Sequence, residues 1–467
     1  MRRTKIICTL GPASEKAETL RALIAAGANV FRVNMSHATH DWLRMIVPRI
    51  RAQADELGRA VAILMDTQGP AIRTGDLKTN LQLKAGDILE FTVRGAKSEE
   101  TNSVDVNYDG LINDIAEGDT VLVDNGVIHL LVLKKEDNRI RCKVVTPGTL
   151  ASRRHINLPG VKVNLPPLTP KDLEDIAVGV EMGVDIVALS FARRRSDVEE
   201  LRAVLKERGS KALVMAKIED QSAVRLIEEM IASADAIMVA RGDLGIECPL
   251  EELPIIQRKV VKLCARVGRP VVVATHMLES MIHNPLPTRA EVTDVANAVF
   301  EQADAVMLSG ETAMGQYPIE CVKVLDRVAR RIERSGGVGY AKEALLEDVR
   351  QKTVASAVVL ANSLPRAKLI VFTRHGTMAR NTSNLRPERA TIFAFTPVPE
   401  LRRQLALCWG VCPICIPFLD DPNATIQAAE EYLRRENLTE PGDNLVFISD
   451  VRAGNELIDT VQRKVAR

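Results

Sequence analysis

Short apolar runs rich in β-branched residues alternate along the chain with longer segments whose apolar residues recur at helical spacing. The short runs predict eight strands, at Lys5–Thr9, Asn29–Val33, Val61–Met65, Asp185–Leu189, Ala212–Ala216, Ala236–Ala240, Val271–Ala274 and Ala305–Leu308. The periodic segments predict helices, at Ala17–Ala26, Trp42–Glu56, Pro170–Met182, Ser196–Arg208, Ser222–Ala232, Leu253–Val267 and Arg289–Glu301. Because consecutive parallel strands need a crossover, this alternation predicts a parallel sheet. Eight units match a (β/α)8 TIM barrel, although the count alone also fits an open doubly wound sheet.

The helical period stops after the third strand, between about Gly75 and Leu158. Apolar and polar residues alternate there instead, and Asp124-Asn125-Gly126 between two such runs is typical of a hairpin turn. We therefore expect residues 75–158 to form a small β-barrel lid domain inserted in a loop of the larger barrel. The larger barrel then comprises residues 1–74 and 159–335, and its carboxyl-terminal face is where such an insertion can cover a site.

A second boundary falls at the glycine-rich segment Ser335–Gly339, which is typical of a flexible linker. Strand and helix patterns resume beyond it. They predict a helix and four strands, at Thr353–Leu364, Lys368–Thr373, Thr391–Phe395, Val411–Ile416 and Asn444–Ser449. Residues 336–467 are therefore expected to form a separate, doubly wound α/β domain.

Composition excludes several classes of protein. Lys and Arg number 62 against 61 Asp and Glu, and aromatic residues make up 3 %, which argues against a nucleic-acid binder. No apolar run approaches the roughly 18 residues of a membrane span. Eight Cys among 467 residues do not make a disulfide scaffold, so we expect a cytoplasmic protein. No Gly is followed by Lys and G-x-G-x-x-G is absent, so any nucleotide is bound without either glycine-rich cradle.

Polar side chains follow the predicted barrel strands, at the end where barrel enzymes carry their chemistry. Glu219 and Asp243 follow neighbouring strands and offer the carboxylate oxygens that Mg²⁺ prefers, the alternative being ion pairs with Lys217 or Arg241. Lys217 lies two residues before Glu219, and residues at that spacing in a strand point to the same side. A cation and a metal in one space suit a substrate that carries or develops negative charge, whereas the plainer reading is a lysine that neutralises carboxylates.

Further side chains at these strand ends have weaker signals. The arginines Arg32 and Arg73 suit phosphate or carboxylate oxygens, although an arginine at such a position is as often part of a surface ion pair. Oxygens that could coordinate a monovalent cation are supplied by Asn34, Ser36, Asp66 and Thr67, but ordinary turn hydrogen bonds are the more common role of such residues.

Several long motifs, in order along nearly the whole chain, resemble those of the pyruvate kinase family. They are TKIICTLGPAS (4–14), RVNMSH (32–37), DTQGPAIRTG (66–75), VARGDLG (239–245), MLESM (277–281), PTRAE (287–291), DVANA (294–298) and MLSGETA (307–313). The resemblance implies Mg²⁺-dependent phosphoryl transfer from phosphoenolpyruvate to ADP, giving pyruvate and ATP in the last step of glycolysis. It also implies a homotetramer whose carboxyl-terminal domain serves effector binding and oligomerisation.

The resemblance also implies roles for individual residues. Glu219 and Asp243 match the ligands of Mg²⁺ (or Mn²⁺), and Lys217 matches the residue that stabilises the transferring phosphoryl group and the enolate. Arg32 is expected to hold the phosphate, and Gly242, Asp243 and Thr275 to contact substrate, with Thr275 helping to protonate the enolate. The potassium site corresponds to Asn34, Ser36, Asp66 and Thr67, and the nucleotide contacts correspond to Asn34, His37, Arg73 and Arg154.

Four departures from the family pattern bear on these roles. Ala71 stands where potassium-dependent members usually carry Glu and many independent ones carry Lys, which leaves the K⁺ requirement open. His276 replaces a usual Gln beside Thr275, and Arg154 replaces a Lys. The segment Thr373–Met378 only partly matches the effector phosphate loop, which argues against activation by fructose bisphosphate.

Two other functions fit parts of the pattern. A Mg²⁺-dependent lyase or aldolase acting on pyruvate enolate would share the paired carboxylates, but the predicted lid and the cations Lys217, Arg32 and Arg73 favour phosphoryl transfer. A metabolite sensor or scaffold with a degenerate site is the non-enzymatic alternative, and the presence of every matched catalytic position argues against it.

Overall fold

The computed structural model describes residues 1–98, 100–453 and 456–467. The first part of the barrel comprises β1 (Lys5–Thr9), α1 (Ala17–Ala26), β2 (Val30–Asn34), α2 (His40–Glu56) and β3 (Ala62–Asp66). The inserted part follows with β4 (Leu81–Leu83), β5 (Ile88–Thr92), β6 (Ser103–Asp105), α3 (Leu111–Asp114), β7 (Thr120–Val123), β8 (Ile128–Glu136), β9 (Arg139–Thr146), β10 (Gly148–Leu150) and β11 (Ile156–Asn157).

The barrel then resumes and is followed by the carboxyl-terminal domain. The barrel contributes α4 (Pro170–Glu181), β12 (Ile186–Leu189), α5 (Arg195–Glu207), β13 (Leu213–Ile218), α6 (Gln221–Arg225), α7 (Ile227–Ser233), β14 (Ala236–Ala240), α8 (Arg241–Glu247), α9 (Leu253–Val267), β15 (Val271–Ala274), α10 (Arg289–Phe300), β16 (Ala305–Leu308), α11 (Gly310–Ala313) and α12 (Pro318–Glu333). The carboxyl-terminal domain contributes α13 (Val349–Ser363), β17 (Ala367–Phe372), α14 (Thr377–Asn384), β18 (Thr391–Thr396), α15 (Pro399–Gln404), β19 (Val411–Cys415), α16 (Pro422–Arg435), β20 (Asn444–Ala453) and β21 (Glu456–Val465).

Eight parallel strands close into a barrel in the order β1-β16-β15-β14-β13-β12-β3-β2, so the (β/α)8 prediction is confirmed over an open sheet. Buried side chains such as Ile7, Leu64 and Met238 fill the inside of the barrel, and a larger apolar cluster lies between the strands and the surrounding helices. Two of those helices begin with capping boxes, Thr169 with Asp172 in α4 and Thr288 with Glu291 in α10. The carboxyl ends of all eight strands therefore meet at one face.

The predicted helix over Ser222–Ala232 is wrong in one respect, because the structure has two helices there, α6 and α7. The break falls at Leu226, whose backbone (φ −100°, ψ 24°) leaves the helical region and whose side chain is partly exposed. Asp220 caps α6 by accepting the Ala223 N–H, next to the strand end that carries Glu219. The start of α6 is therefore fixed by the Asp220 cap at the end of β13. The helix that carries most of the predicted apolar residues is α7.

The inserted segment between β3 and α4 is all β apart from one short helix. Its strands form a six-stranded sheet in the order β11-β7-β8-β9-β5-β6 and a two-stranded sheet of β4 and β10. The predicted turn at Asp124-Asn125 joins β7 to β8, and both residues have positive φ (56°), as a tight hairpin turn requires.

A five-stranded sheet in the order β19-β18-β17-β20-β21 forms the carboxyl-terminal domain, with an antiparallel pair at one edge. The sequence patterns did not predict β21.

Leu407, in the turn after α15, is fully buried in the apolar cluster that fills the barrel, at the end opposite the carboxyl face of the strands. Two ion pairs flank this contact, Arg403 with Asp185 (2.7 Å) and Arg386 with Asp304 (2.7 Å). Asp185 and Asp304 precede β12 and β16, which lie on opposite sides of the barrel.

None of the helices in the described part of the chain has both the length and the apolar composition needed to cross a bilayer.

Replacing Leu407 by Ala is expected to destabilise the protein by about 2–5 kcal/mol, because truncation of a buried Leu removes apolar contact and leaves a cavity. Denaturant unfolding should show a lower midpoint for Leu407→Ala. The matched control is Leu419→Ala, since Leu419 is 48 % exposed. Equal midpoints for the two variants would mean that Leu407 does not hold the carboxyl-terminal domain to the barrel.

Candidate active site

A polar cleft of about 310 Å³ opens at the carboxyl ends of the barrel strands, between the barrel and the inserted domain. Nine of the residues singled out from the sequence line it, namely Arg32, Asn34, Ser36, Thr67, Arg73, Arg154, Lys217, Glu219 and Asp243. His37, Asp66, Gly242 and Thr275 are not among the lining residues. The fold thus brings side chains that are far apart in sequence to one place, as expected for the top of a barrel.

Lys217, near the end of β13, is the central cation of the cleft and is 8 % exposed. Its Nζ lies 2.8 Å from Glu219 Oε1 and 3.2 Å from Asp66 Oδ1, and it donates to Ser190 Oγ at 2.8 Å. Burial alone would lower the pKa of Lys217, but the Asp66 and Glu219 carboxylates outweigh it and hold the pKa above its usual value. The ammonium therefore stays charged at every physiological pH.

Glu219 and Asp243 are two of the three carboxylates that line the cleft, the third being Asp124, which pairs with Arg154. Glu219 directly follows β13, and its Oε2 accepts the Phe191 N–H at 2.6 Å. Burial raises the pKa of Glu219 to about 7; Lys217 opposes the rise and the like charge of Asp243 adds to it. Such a carboxylate pair is stabilised by a further cation on its open side.

These two carboxylates fit a Mg²⁺ site that a substrate completes. Mg²⁺ in enzymes is usually held by one or two carboxylates, with substrate oxygens and waters filling the other positions. Across the residues that the structure describes, no group of three or more His, Cys, Asp or Glu side chains converges as a closed metal site would. The cleft therefore offers carboxylate oxygens as metal ligands and leaves the other coordination positions to substrate and water.

Arg32, on β2, is held at the floor of the cleft by two acceptors. Its Nε donates to Asp66 Oδ2 at 2.7 Å and its Nη1 donates to Thr9 Oγ1 at 3.0 Å. Although burial favours a neutral Asp66, Lys217 and Arg32 hold its pKa below the usual value. Asp66 is thus a buried anion that fixes the positions of both cations.

The oxygen-bearing residues next to Arg32 are already engaged in local hydrogen bonds. Asn34 Oδ1 accepts the Ser36 N–H at 3.2 Å, and the Thr67 carbonyl accepts the Ser190 hydroxyl at 2.7 Å. Asn34 and Asp66 lie side by side on paired strands, and Ala71 lines the same part of the cleft without adding a charge. The four candidate potassium ligands are therefore neighbours. Asn34, Ser36 and Thr67 line the cleft, and Asp66 is buried beneath them.

Thr275 and Gly242 lie next to each other at the ends of β15 and β14. Thr275 has φ +73° and His276 has φ +55°, a region that β-branched and bulky residues rarely adopt. Arg241 supports this backbone by donating to the Thr275 carbonyl at 2.6 Å. A Cβ on Gly242 would lie 2.9 Å from Thr275 Cγ2, so a larger residue there would force the Thr275 side chain to shift. Strain kept at one such position is common at functional sites.

The inserted domain supplies the other wall of the cleft. Arg154 pairs with Asp124 at 3.3 Å, and Arg73 Nη1 donates to the Arg153 carbonyl at 3.2 Å. Arg73 and Arg154 therefore face the cleft from the insertion and its stem, whereas His37 is exposed outside the set of lining residues.

Sequence reasoning gave no role to several residues that line the cleft, among them His155, Ser190 and Phe191. Ser190 accepts from Lys217, and the His155 ring lies 5.9 Å from the Phe191 ring. Burial lowers the pKa of His155, against an opposing effect of Asp243, so the ring is neutral. The only available signals were position, since Ser190 follows a predicted strand and His155 follows Arg154.

A buried hydrogen bond joins the inserted domain to the barrel beside this cleft. Asn157, in β11, donates through Nδ2 to Glu247 Oε1 at 3.0 Å, at the end of α8, the helix that carries Asp243 in its first turn. Burial raises the pKa of Glu247 to about 7, opposed by the hydrogen bond from Asn157.

Comparison with known proteins gives one consistent result. The family model for the pyruvate kinase barrel domain matches residues 1–322, and the model for the pyruvate kinase alpha/beta domain matches residues 351–462. The chain is 42 % identical over 452 residues to plastidial pyruvate kinase 3 of Arabidopsis thaliana, covering 96 % of this chain and 78 % of that protein. It is 39 % identical over 458 residues to pyruvate kinase 2 of a Synechocystis strain, covering 97 % and 77 %. A crystal structure of a pyruvate kinase from Cryptosporidium parvum superposes with a TM-score of 0.93 at 34 % identity, covering 100 % of this chain and 96 % of that one.

Replacing Glu247 by Gln is expected to make stability less dependent on pH. Because the folded protein binds the Glu247 proton more tightly than the unfolded chain does, this residue stabilises the fold at low pH. That contribution is lost as pH rises from the ordinary value of 4.5 through about 7. The melting temperature of Glu247→Gln relative to wild type should therefore be higher at about pH 8 than at about pH 5.

The control for that measurement is Glu251→Gln, which removes an exposed carboxylate a few residues away. A difference between Glu247→Gln and wild type that does not change with pH would contradict the assigned protonation of Glu247.

Proposed function

Since the chain belongs to the pyruvate kinase family, we propose that the cleft at the top of its barrel transfers the phosphoryl group of phosphoenolpyruvate to ADP. The observation that carries the proposal is the buried ammonium of Lys217, held between Asp66, Glu219 and Ser190. Phosphoryl transfer needs positioning and fixed positive charge more than covalent help from the protein. A cleft that keeps one cation permanently charged and fixed in place supplies both.

Lys217 acts on the charge that develops during transfer. When the phosphoryl group leaves the enol oxygen, negative charge collects on that oxygen and on the migrating group. A preorganised cation in a site with little water stabilises such charge without rearranging first. Lys217 needs no reorganisation, because three neighbours already fix its Nζ.

Arg32 holds the phosphate of phosphoenolpyruvate in this proposal. Its Nε and Nη1 are engaged by Asp66 and Thr9, so the planar guanidinium is fixed before substrate binds. The remaining N–H groups can donate to phosphate oxygens in the two-pronged manner typical of arginine. Arg32 thus orients the group that Lys217 then stabilises.

Glu219 and Asp243 would hold Mg²⁺ (or Mn²⁺). The family is generally dependent on Mg²⁺ and K⁺, and the two carboxylates on the open side of Lys217 suit the divalent ion. When bound, Mg²⁺ supplies charge neutralisation and a template for substrate oxygens. We assign K⁺ to Asn34, Ser36, Asp66 and Thr67, and since Ala71 offers neither a carboxylate nor an ammonium, activity with and without K⁺ decides its requirement.

We assign substrate contact to Thr275 and Gly242, which lie next to the lining residue Asp243, and we assign to Thr275 a part in delivering the proton that converts enolate to pyruvate. The rigid, positive-φ backbone of Thr275 and its support by Arg241 favour a positioning role for this segment. His276 is exposed next to it, where it can influence the proton supply.

The nucleotide is assigned to the wall formed by Asn34, Arg73 and Arg154, with His37 at its outer edge. The inserted domain (residues 75–158) then acts as a lid over the barrel (residues 1–74 and 159–335). The carboxyl-terminal domain (residues 336–467) acts as the effector and oligomerisation domain of a homotetramer.

The expected partners are phosphoenolpyruvate, ADP, ATP and pyruvate, with no nucleic acid or membrane. Eight free thiols support a reducing compartment, and we assign the cytoplasm.

Replacing Lys217 by Met should lower kcat by at least about 10²–10³-fold, the usual cost of losing a preorganised charge at a transition state. The measurement is pyruvate formation from phosphoenolpyruvate, ADP and Mg²⁺. Lys211→Met is the matched control, since Lys211 is exposed before the same strand. A kcat like that of wild type in Lys217→Met would reject the proposed role, and ADP-independent cleavage of a keto acid would point to a lyase instead.

Replacing Glu219 by Gln should weaken Mn²⁺ binding by about tenfold or more, because metal affinity follows the charge of the ligand set. Calorimetric titration of the protein with Mn²⁺ measures this. The exposed Glu228 provides the matched variant Glu228→Gln, which should bind Mn²⁺ like wild type. Equal affinity in the two variants would remove Glu219 from the metal site.

A further inference from the structure

A second cavity, of about 470 Å³, lies at the junction of the barrel, the linker and the carboxyl-terminal domain. Arg3, which precedes β1, and Gln302, which precedes β16, place it at the end of the barrel opposite the catalytic cleft. The linker residues 336–339 form one side and α13 forms another. It is larger than the catalytic cleft and within the roughly 300–1,000 Å³ of small-molecule sites, which often lie between domains.

Its inner wall is apolar and aromatic. Val299, Ala355, Val358 and Leu385 line the cavity together with the indole of Trp409. The guanidinium carbons of Arg3 and Arg386 lie 5.3 and 5.1 Å from the centre of the Trp409 ring, so two cations bracket one aromatic side chain. An apolar or planar group would find a complementary surface here.

The polar lining is strongly cationic. Only two carboxylates line the cavity, Glu333 and Glu388. The positive side chains that line it number five, namely Arg3, Arg334, Lys342, Arg386 and Arg389. The Glu333 carboxylate is already engaged, since it accepts the backbone N–H groups of Arg3 and Thr4 at 2.8–3.0 Å. Among the described residues, Arg334, Lys342 and Arg389 have no ion-pair partner within 4 Å, and all three are exposed at the rim.

Two buried donors in the wall also lack acceptors. Within the part of the chain that the structure describes, neither Arg386 Nε nor Trp409 Nε1 has a hydrogen-bond partner. Both residues are buried, since Arg386 is 5 % exposed and Trp409 is 2 % exposed. Buried polar groups are nearly always paired, and an unpaired one costs about 1–3 kcal/mol. These donors lie just behind the wall of the cavity and add to its positive character.

We propose that this interdomain cavity binds a small organic anion, a phosphate or carboxylate attached to an apolar or planar body. The body packs against Val358, Leu385 and Trp409, and the anion is bound by Arg334 and Arg389 at the rim. Such a ligand touches the barrel, the linker and the carboxyl-terminal domain at once, so its binding stabilises their relative arrangement. The proposal is independent of the catalytic assignment, because no residue of this cavity lines the catalytic cleft.

Trp409 provides the means of testing this directly. The chain has two Trp, and Trp42→Phe leaves Trp409 as the single tryptophan reporter. Four probes separate the two halves of the ligand: phenyl phosphate, benzoate, inorganic phosphate and benzyl alcohol. We expect saturable quenching of Trp409 by phenyl phosphate or benzoate, with affinity about tenfold or more above that for inorganic phosphate or benzyl alcohol. The tighter of the two ring-bearing anions identifies the anion class.

Variants at the rim then show where the probe binds. Arg334→Gln and Arg389→Gln should each weaken it by about tenfold, the usual cost of one charge-assisted hydrogen bond. Arg434→Gln, which removes an exposed helix arginine outside the cavity, should leave affinity unchanged. Val358→Phe should abolish binding by filling the cavity without adding a tryptophan, and the rim variants keep the test valid if that variant does not fold.

Three results would overturn the proposal. One is the absence of saturable quenching by either ring-bearing anion. Another is binding that is equally strong in Arg389→Gln, Arg334→Gln and Arg434→Gln. The third is competitive displacement of the probe by phosphoenolpyruvate, which would assign it to the catalytic cleft.

Discussion

The chemistry of this protein depends on one charge arrangement at the mouth of the barrel. Lys217 and Arg32 share the buried carboxylate of Asp66, and Glu219 lies against Lys217 on the open side. Asp243 supplies a second lining carboxylate near Glu219, and Arg73, Arg153 and Arg154 add positive charge from the other wall. The paired carboxylates suit a divalent ion, and the fixed cations suit a phosphoryl group. The same few residues therefore satisfy both needs without large rearrangement.

The closed barrel explains why these groups can be held in place. Strand ends spaced around a barrel bring residues from β2, β3 and β13 within hydrogen-bond distance, although they are far apart in sequence. The opposite end of the barrel is filled by Leu407 and fixed by the Asp185 and Asp304 ion pairs. One end is thus closed by packing against another domain, and the other end is left for chemistry.

Much of this was accessible from sequence because it follows local rules. Alternating patterns predicted the eight strands, and several of them, such as Ala236–Ala240, coincide with the observed bounds. Polar residues directly after those strands predicted which side chains would meet. Parallel strands leave little freedom in where their ends lie, which is why position in the pattern was enough.

The features that sequence could not predict arise from contacts between distant segments. Nothing in the pattern showed that Asp66 would fix both Arg32 and Lys217, or that Ser190 would accept from Lys217. The break at Leu226 depends on the capping of α6 beside the cleft, and β21 pairs with β20 without a strong pattern of its own. The fit of Leu407 into the barrel depends on how two domains dock, which local periodicity does not encode.

In the proposed mechanism the Glu219 and Asp243 carboxylates beside Lys217 hold a divalent ion next to the reacting group. Anomalous scattering from crystals of the active protein grown with Mn²⁺ and phosphoenolpyruvate tests this most directly. We expect a manganese peak between the Glu219 and Asp243 carboxylates, with Lys217 Nζ beside the phosphoryl group. A peak elsewhere, with Glu219 still bound only to Lys217 and the Phe191 N–H in protein that turns over substrate, would remove these carboxylates from the metal site.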